Sequence, residues 1–494
     1  MMKKIGFKIR PFLYFLICMY SGNILGQGGT TVPPNVVLII ADDVSADDLG
    51  AYGNPFVQTP NIDNLAKHGI KFNHAILTAS SCSPSRISII TGRYPHNTGA
   101  AELHTQPEVD FESIASRLKA QGYYTGQAGK WHMGKLLKRG FDRIYTKHQE
   151  IGDGGEAKWI PSLKERDKDK PFFFWFAALD AHRVWGENKF SNTHDSEEIE
   201  VPKTLVDDDS TRIDLRQYYD EIKRFDFYIG EVVRELKKQQ VYDNTVIIVM
   251  ADNGRPFPRD KTRVYDSGIK TPLIVHWPEG ISSNSESNSL ISSIDIAPTI
   301  LDICGIKAPG SFQGRSFKAI LNDPQKDFRN YAFAEHNWHD HEAHERMVRT
   351  ADYLYIINFR PELPNQGPAD AINSPSFRSL VRANKAGSLT AAQSDVFMVP
   401  RPAEELFMVK DDPRQVVNVL HDPLRKTQIL DTRDELREVL MEWMEETGDS
   451  VPEQLTKDWY TRDTGNRIKE NFGKRGQMPG EKEGADLSNK KGGF

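Results

Sequence analysis

The 494-residue sequence predicts an α/β protein, a large sheet sandwiched by helices and followed by a smaller C-terminal α+β subdomain. Three observations predict it. Continuous apolar runs at 35–41, 171–179 and 244–251 read as strands buried on both faces, as in a parallel sheet covered by helices. Between them lie segments with apolar residues at helical spacing. The longest, 214–238, sets Tyr218, Ile222, Phe225, Ile229 and Val233 on one stripe. Around residue 325 the composition shifts to shorter runs at 353–357 and 405–409, with a closing helix at about 432–447. A hydrophobic content of 38% and a charged content of 27% suit a globular chain of this length.

At the N-terminus, Lys3, Lys4, Lys8 and Arg10 precede the apolar run 12–20, and small residues follow around Leu25 and Gly26. That layout is a secretory signal over 1–26, and it predicts a periplasmic or secreted protein. The run is too short to span a bilayer, so no membrane anchor is expected. Ile17 before Cys18 is a poor match to a lipoprotein signal. Loss of the segment takes the formal charge from −6 to −10, because it carries four basic residues and no acid. So acidic a surface argues against nucleic acid as a partner, and an anionic substrate would need a locally basic pocket. Beyond the signal only Cys82 and Cys304 remain, too few and too far apart for a disulfide scaffold. Cys304 ends an apolar helical stretch and reads as core filling. Cys82 lies among polar residues and needs another explanation.

In chain order, the run 35–41 ends at Asp42 and Asp43. These are two hard oxygen donors at a strand's C-terminal edge, where open α/β sheets place ligands and where a divalent cation fits. In Ser81-Cys82-Ser83-Pro84-Ser85-Arg86 the apolar run after Arg86 opens a helix, near whose positive N-terminus Cys82 would lie; a plain proline turn is the other reading. Residues 110–122 form a helix that stops at glycine. The stretch 126–134 brackets Lys130 and His132 with glycines, either a loop that brings backbone and side chains to a ligand or an ordinary surface loop. The run 171–179 ends at Asp180-Ala181-His182-Arg183, and Asp207 to Asp209 read as a solvated loop. The run 244–251 ends at Asp252-Asn253-Gly254, and Lys261 follows before a strand at 271–277 and a helix at 295–304. His336, His339, His341 and His344, with Glu335, Glu342 and Glu345, read as a polar pocket-lining loop or a solvated turn. Their spacing matches no standard zinc site. The expected boundaries are 27–325 for the main domain, 326–470 for the subdomain and 471–494 for a loosely ordered tail.

Several strand ends thus supply carboxylates and an amide, glycine-rich and following loops supply cations, and one turn supplies Cys82 and Arg86. A metal cage with several cations is what transfer of a tetrahedral oxyanion requires.

The motif C-S-P-S-R, followed by T-G-R, resembles the C-x-P-x-R signature of the type I sulfatases, in which the cysteine is oxidised to formylglycine (3-oxoalanine). A strand into D-D, then G-K-W-H, a strand into D-A-H, then A-D-N-G and K-x-x-x-Y follow in the family's order. E-L-F-M-V-K-D-D-P-R-Q-V-V-N resembles its C-terminal strand and turn, so the resemblance spans roughly 34–425. It implies an alkaline-phosphatase-like fold with a large mixed sheet. It also implies one Ca2+ held by Asp42, Asp43, Asp252 and Asn253 together with the modified Cys82, whose aldehyde hydrate attacks sulfur. Arg86 would fix and polarise that hydrate, Lys130 and Lys261 would grip sulfate oxygens, His182 would protonate the leaving oxygen, and His132 would take a proton from the second hydroxyl. The implied partners are a sulfated carbohydrate and a formylglycine-generating or anaerobic sulfatase-maturating enzyme.

S-S-C-S-P-S-R, D-A-H-R and D-N-G-R-P-F-P look closest to the N-sulfoglucosamine sulfohydrolase branch, which includes exported bacterial polysaccharide sulfatases. Lys261 departs from that branch, which resembles an arginine there, so charge is kept and bidentate geometry is lost. Asp180, Arg183, His339 and His341 are candidate sugar contacts. The implied activity is sulfate hydrolysis from an algal polysaccharide, for example of ulvan type, or a glycosaminoglycan. The alternatives are an N-sulfoglucosamine sulfohydrolase on heparan fragments, a phosphodiesterase of the superfamily, or a non-catalytic glycan-binding protein. Cys82 argues against the phosphodiesterase, which usually carries serine or threonine and a second metal, and a binding protein has no need of an oxidised cysteine.

Overall fold

The computed structural model describes residue 2 and residues 32–480 except 110, 282, 283 and 422–425. The expected signal segment, apart from residue 2, lies outside the described residues. Eight strands form the main sheet: β1 (Asn35–Ala41), β2 (Ile70–Ile76), β3 (Tyr124–Gly129), β4 (Arg143–Tyr145), β5 (Phe172–Ala177), β6 (Thr245–Ala251), β7 (Leu273–His276) and β8 (Ser285–Ser292). Their order is β4-β3-β5-β1-β6-β7-β2-β8, and β7 alone runs against the rest, so the sheet is mixed. In the central strands successive side chains enter opposite cores. Val36, Leu38 and Ile40 join Phe173, Trp175, Val246 and Ile248 on one face. Val37 and Ile39 join Phe174, Phe176, Ile247 and Val249 on the other. Burial on both faces is why these strands read as unbroken apolar runs.

Register places the chemistry. β1 pairs in parallel with β5 from Val36–Phe173 to Ile40–Ala177, and with β6 from Asn35–Thr245 to Ala41–Ala251. All three strands therefore stop at one level, and the polar residues after them meet at one edge. Backbone bonds continue past the strand ends: Asp42 N donates to Asp180 O at 2.7 Å, and Asp252 N to Ala41 O at 3.2 Å.

A second, antiparallel sheet has the order β12-β11-β10-β9, built from β9 (Ala332–His339), β10 (His341–Arg349), β11 (Tyr353–Asn358) and β12 (Glu404–Met408). Its apolar face packs on the helix Lys426–Glu446, where Trp443 stacks on Phe333 at 4.8 Å between ring centroids. Glu335 N bonds Thr78 O at 2.9 Å, which ties β9 to the segment that leads into Cys82.

Four expectations change. The long helix starts at Asp209 rather than 214, and the acidic triplet before it is a cap: Asp208 accepts Thr211 N at 2.9 Å, and Asp207 pairs with Arg212. The first half of the glycine-bracketed stretch is not a loop but β3, with glycines where neighbours crowd the backbone. A Cβ on Gly129, whose φ is +105°, would lie 1.8 Å from Ala177 O. The histidine cluster is neither loop nor solvated turn; it is the β9–β10 hairpin, with all four histidines buried. Residues 471–480 of the expected tail fold back, with Arg475 over the rings of Trp338 and Trp459 and paired with Glu102. The rest of that tail lies outside the described residues. No helix among the described residues is long and apolar enough to cross a membrane.

Candidate active site

Cys82 opens the helix Cys82–Thr91, earlier than the apolar run after Arg86 suggested. Ser81 precedes the helix in extended conformation, Pro84 lies in its first turn, and Gly92 closes it in the left-handed region. Every residue of this helix is buried. Arg86 follows Cys82 by four residues and shares its face. Cys82 Sγ lies 3.6 Å from Asp42 Oδ1 and 3.9 Å from Asp43 Oδ1. Arg86 Nε donates to Asp252 Oδ2 at 2.6 Å.

The four expected oxygen-bearing residues meet here. Asn253 Nδ2 donates to Asp43 Oδ1 at 2.6 Å, while Asn253 Oδ1 is buried with no partner among the described residues. Lys261 Nζ donates to Asp43 Oδ2 at 2.7 Å, and Lys130 Nζ to Asp42 Oδ2. Three buried carboxylates and an orphaned amide oxygen form the hard-oxygen set that a calcium ion takes, so these residues fit the implied ion. Burial raises a carboxyl pKa, yet the charges of Lys130, His182, Arg86 and Lys261 hold Asp42 far below the usual range. Burial, with Asp42 and Asp43 nearby, pushes Asp252 up to about 7 against the pull of Arg86. Burial also pushes the Cys82 thiol well above its ordinary value despite Lys130 and Lys261.

Both histidines expected to move protons are at this edge. His182 Nδ1 meets the Arg183 carbonyl, and its Nε2 lies 3.9 Å from Asp43 Oδ2. His132, at φ +52°, has Nε2 2.7 Å from His104 Nδ1, and its buried Nδ1 has no partner among the described residues. Burial, then the charge of Lys130, holds His132 well below the usual histidine range.

The expected sugar contacts are spread out. Asp180 and Arg183 line a cleft of about 530 Å³ with Lys130, His132, His182, Glu187 and Asn188. Asp180 is gripped by Arg224, whose Nε donates at 2.7 Å, and Arg183 is clamped by Asp214 at 2.7 and 2.9 Å. His339 Nδ1 meets Ser81 Oγ at 2.8 Å, beside Cys82. His341 lines a separate cavity of about 10 Å³ with His336, Glu345 and Arg401, room for about one water. Two residues had no warning in the sequence. His104, held through its amide by Ser83 Oγ at 2.9 Å, partners His132. Asp370 reaches to 3.6 Å from His182 Nε2.

A wide, mostly parallel sheet whose strand ends and following loops gather acids, an amide and lysines around Cys82 is of the alkaline-phosphatase-like class. The comparisons narrow this class. The family model "Sulfatase" matches residues 34–154 and 156–306, and the model "N-sulphoglucosamine sulphohydrolase, C-terminal" matches 257–380. An ulvan-active sulfatase of Formosa agariphila is 27% identical, over 87% of this chain and 78% of its own. The N-sulphoglucosamine sulphohydrolase of Homo sapiens is 30% identical, over 84% and 91% respectively. A solved protein bound to its substrate D-glucosamine-2-N,6-O-disulfate shares the fold with a TM-score of 0.65 at 20% identity, covering 84% of this chain and 98% of that one. The chain belongs to the sulfatase family. It is a sulfuric ester hydrolase, and the glycan-binding alternative without catalysis gives way.

Proposed function

We propose that this sulfatase releases sulfate from the sugars of a sulfated polysaccharide or its oligosaccharides, and that it works with formylglycine made from Cys82 and with one Ca2+. The setting of Cys82 carries the reading. A buried thiol at a helix start, with its pKa raised, stays neutral and is a poor nucleophile as it stands. Formylglycine supplies an oxygen nucleophile at that position. Asp42, Asp43, Asp252 and Asn253 would hold the Ca2+, which supplies charge stabilisation for the sulfate oxygens.

The remaining chemistry belongs to the chain's own side chains. Arg86 locks Asp252 and keeps the carboxylate set in register with residue 82. Lys130 and Lys261 keep their charge, because Asp42 and Asp43 outweigh the effect of burial, and they bind sulfate oxygens. His182, oriented through Nδ1 by the Arg183 carbonyl, presents Nε2 as the donor to the leaving atom. His132, held neutral by burial and by Lys130, accepts a proton, and His104 fixes its ring.

The cleft volume lies within the range of small-ligand sites, and its Glu187, Asn188 and Asp153 suit a hydroxyl-rich molecule. Export rests on the basic start and apolar run within 1–26, and it places the enzyme where such polysaccharides are met.

The test is sulfate release from a panel of defined heparan-derived and algal sulfated oligosaccharides, with product positions read by NMR and the Cys82 peptide read by mass spectrometry. Release from at least one member by enzyme carrying formylglycine is expected. Full activity with an unmodified thiol at Cys82 overturns the reading. Dominant cleavage of glucosamine N-sulfate selects the heparan substrate, and cleavage of sulfated rhamnose or galactose selects the algal one.

A further inference from the structure

Asp370 lies in the short helix Ala369–Ile372, far along the chain from every motif of the site. Its Oδ1 accepts the Ala371 amide at 2.8 Å. Its Oδ2 points between His182 and Lys261, 3.6 Å from His182 Nε2 and 3.9 Å from Lys261 Nζ, and makes no hydrogen bond to any described residue. The side chain is 24% exposed.

This placement is built by the histidine-rich hairpin. Asp340, at the turn between β9 and β10 with φ +65°, accepts the Ala369 amide at 3.0 Å. Its neighbour His339 is bonded to Ser81. One hairpin tip therefore braces the residue before Cys82 and the helix that carries Asp370. On the other side Asp214 accepts the Ser376 amide at 3.3 Å and grips Arg183, the residue after His182.

A counter-ion role does not account for this carboxylate. Lys261 already has Asp43 at 2.7 Å, and His182 is oriented by the Arg183 carbonyl. A further negative charge beside the sulfate-binding cations opposes the incoming anion. That opposition is offset only if the carboxylate meets a donor on the bound molecule. His182 serves the leaving atom, so the groups nearest Asp370 Oδ2 are those on the carbons flanking that atom. In a sugar these carry hydroxyls.

We propose that Asp370 is a substrate-contacting specificity residue that accepts a hydrogen bond from the sugar hydroxyl flanking the sulfated position. The inference rests on the sulfatase reading of the site above.

The experiment is a cycle of enzyme and substrate changes. Wild type, Asp370→Ala and Asp370→Asn are assayed on N-sulfoglucosamine and on a sulfated rhamnose. The sugar turned over faster is then compared with its analogue in which the flanking hydroxyl is replaced by hydrogen. A hydrogen bond to a charged group predicts a loss of kcat/KM on the order of 10- to 100-fold for Asp370→Ala on the hydroxylated sugar, with little further loss on the deoxy analogue. Asp370→Asn keeps the shape and the bond to Ala371, and it should show the same substrate dependence at an unchanged melting temperature. If either variant loses equally on both sugars, Asp370 acts only on His182 and Lys261, and the inference falls. If matured wild type releases sulfate from neither sugar nor any member of the panel, the sulfatase reading itself falls.

Discussion

Adding Ca2+ to metal-free enzyme should expel a proton, in a number set by pH. Asp42, Asp43 and Asp252 lie together and buried, and Arg86 is held between Asp252 at 2.6 Å and Asp42 at 3.7 Å. Burial and the neighbouring carboxylates push Asp252 up to about 7, while the surrounding cations hold Asp42 low. Asp252 thus keeps its proton below pH 7. A calcium ligand must be ionised, so binding drives that proton off. With a pKa of about 7, about 0.9 protons leave per ion at pH 6 and about 0.1 at pH 8. By the same linkage the apparent Kd weakens about tenfold for each pH unit below 7 and is flat above it. Isothermal titration calorimetry in two buffers of different ionisation enthalpy reads the proton count directly. Asp252→Asn, which keeps an oxygen donor and has no proton to lose, should bind more weakly with no release at pH 6. Calcium binding at pH 6 with no proton release in wild type would refute the assignment of Asp252 as a ligand, and absence of binding would refute the whole oxygen cage.

Other expectations are simpler. Cys82→Ala should lower sulfate release by more than about a thousandfold while leaving the melting temperature near that of wild type; residual activity within tenfold would show a different nucleophile. Trp443, fully buried against Phe333 and Tyr94, should cost about 3–5 kcal/mol of stability as Trp443→Ala, read by urea unfolding, with the activity of the folded fraction unchanged. Asp226 caps the helix Pro60–Lys67 by accepting Ile62 N at 2.7 Å, and burial pushes its carboxyl up to about 6. The folded state then binds this proton more tightly than the unfolded chain, so stability falls as pH rises from about 4 to about 6, by at most about 3 kcal/mol. Asp226→Asn should remove that fall, and identical slopes of melting temperature against pH in the two proteins would contradict it.

Much of this site was legible because the ends of buried strands are written locally. An unbroken apolar run followed by D-D or D-N-G states both that a strand is covered on two faces and that polar groups wait at its edge. Register then does the rest, since strands paired residue for residue end together. Cys82 and Arg86 were readable as a motif, but the apolar run placed the helix start after Arg86, and only the structure puts both residues on one helix. The roles of Asp180 and Arg183 were less so. Their position beside His182 suggested sugar contacts, but each is paired with a residue of the long helix, Arg224 or Asp214, that nothing nearby in sequence announces. The histidine cluster was half legible: pocket lining was one of its two readings, and His336, His339 and His341 do line a small cavity, whereas the loop or solvated turn is a buried hairpin. Dense polar residues usually mean solvent, and only its pairing into a buried hairpin between the Cys82 segment and the Asp370 helix makes them interior.

By itself, then, the sequence determined the α/β class, the strand ends, the motif around Cys82, and through that motif the likeness to the sulfatase family. The strand ends and the motif are carried by contiguous residues whose period or spacing has a direct physical meaning, and the family follows from the motif's resemblance. Tertiary structure alone decided the partners: His104 against His132, Asp340 against the Ala369 amide, and Asp370 beside His182 and Lys261. Those contacts join segments from distant parts of the chain. Whether a polar side chain meets a partner, a substrate or water depends on where the returning chain packs, and no local pattern encodes that.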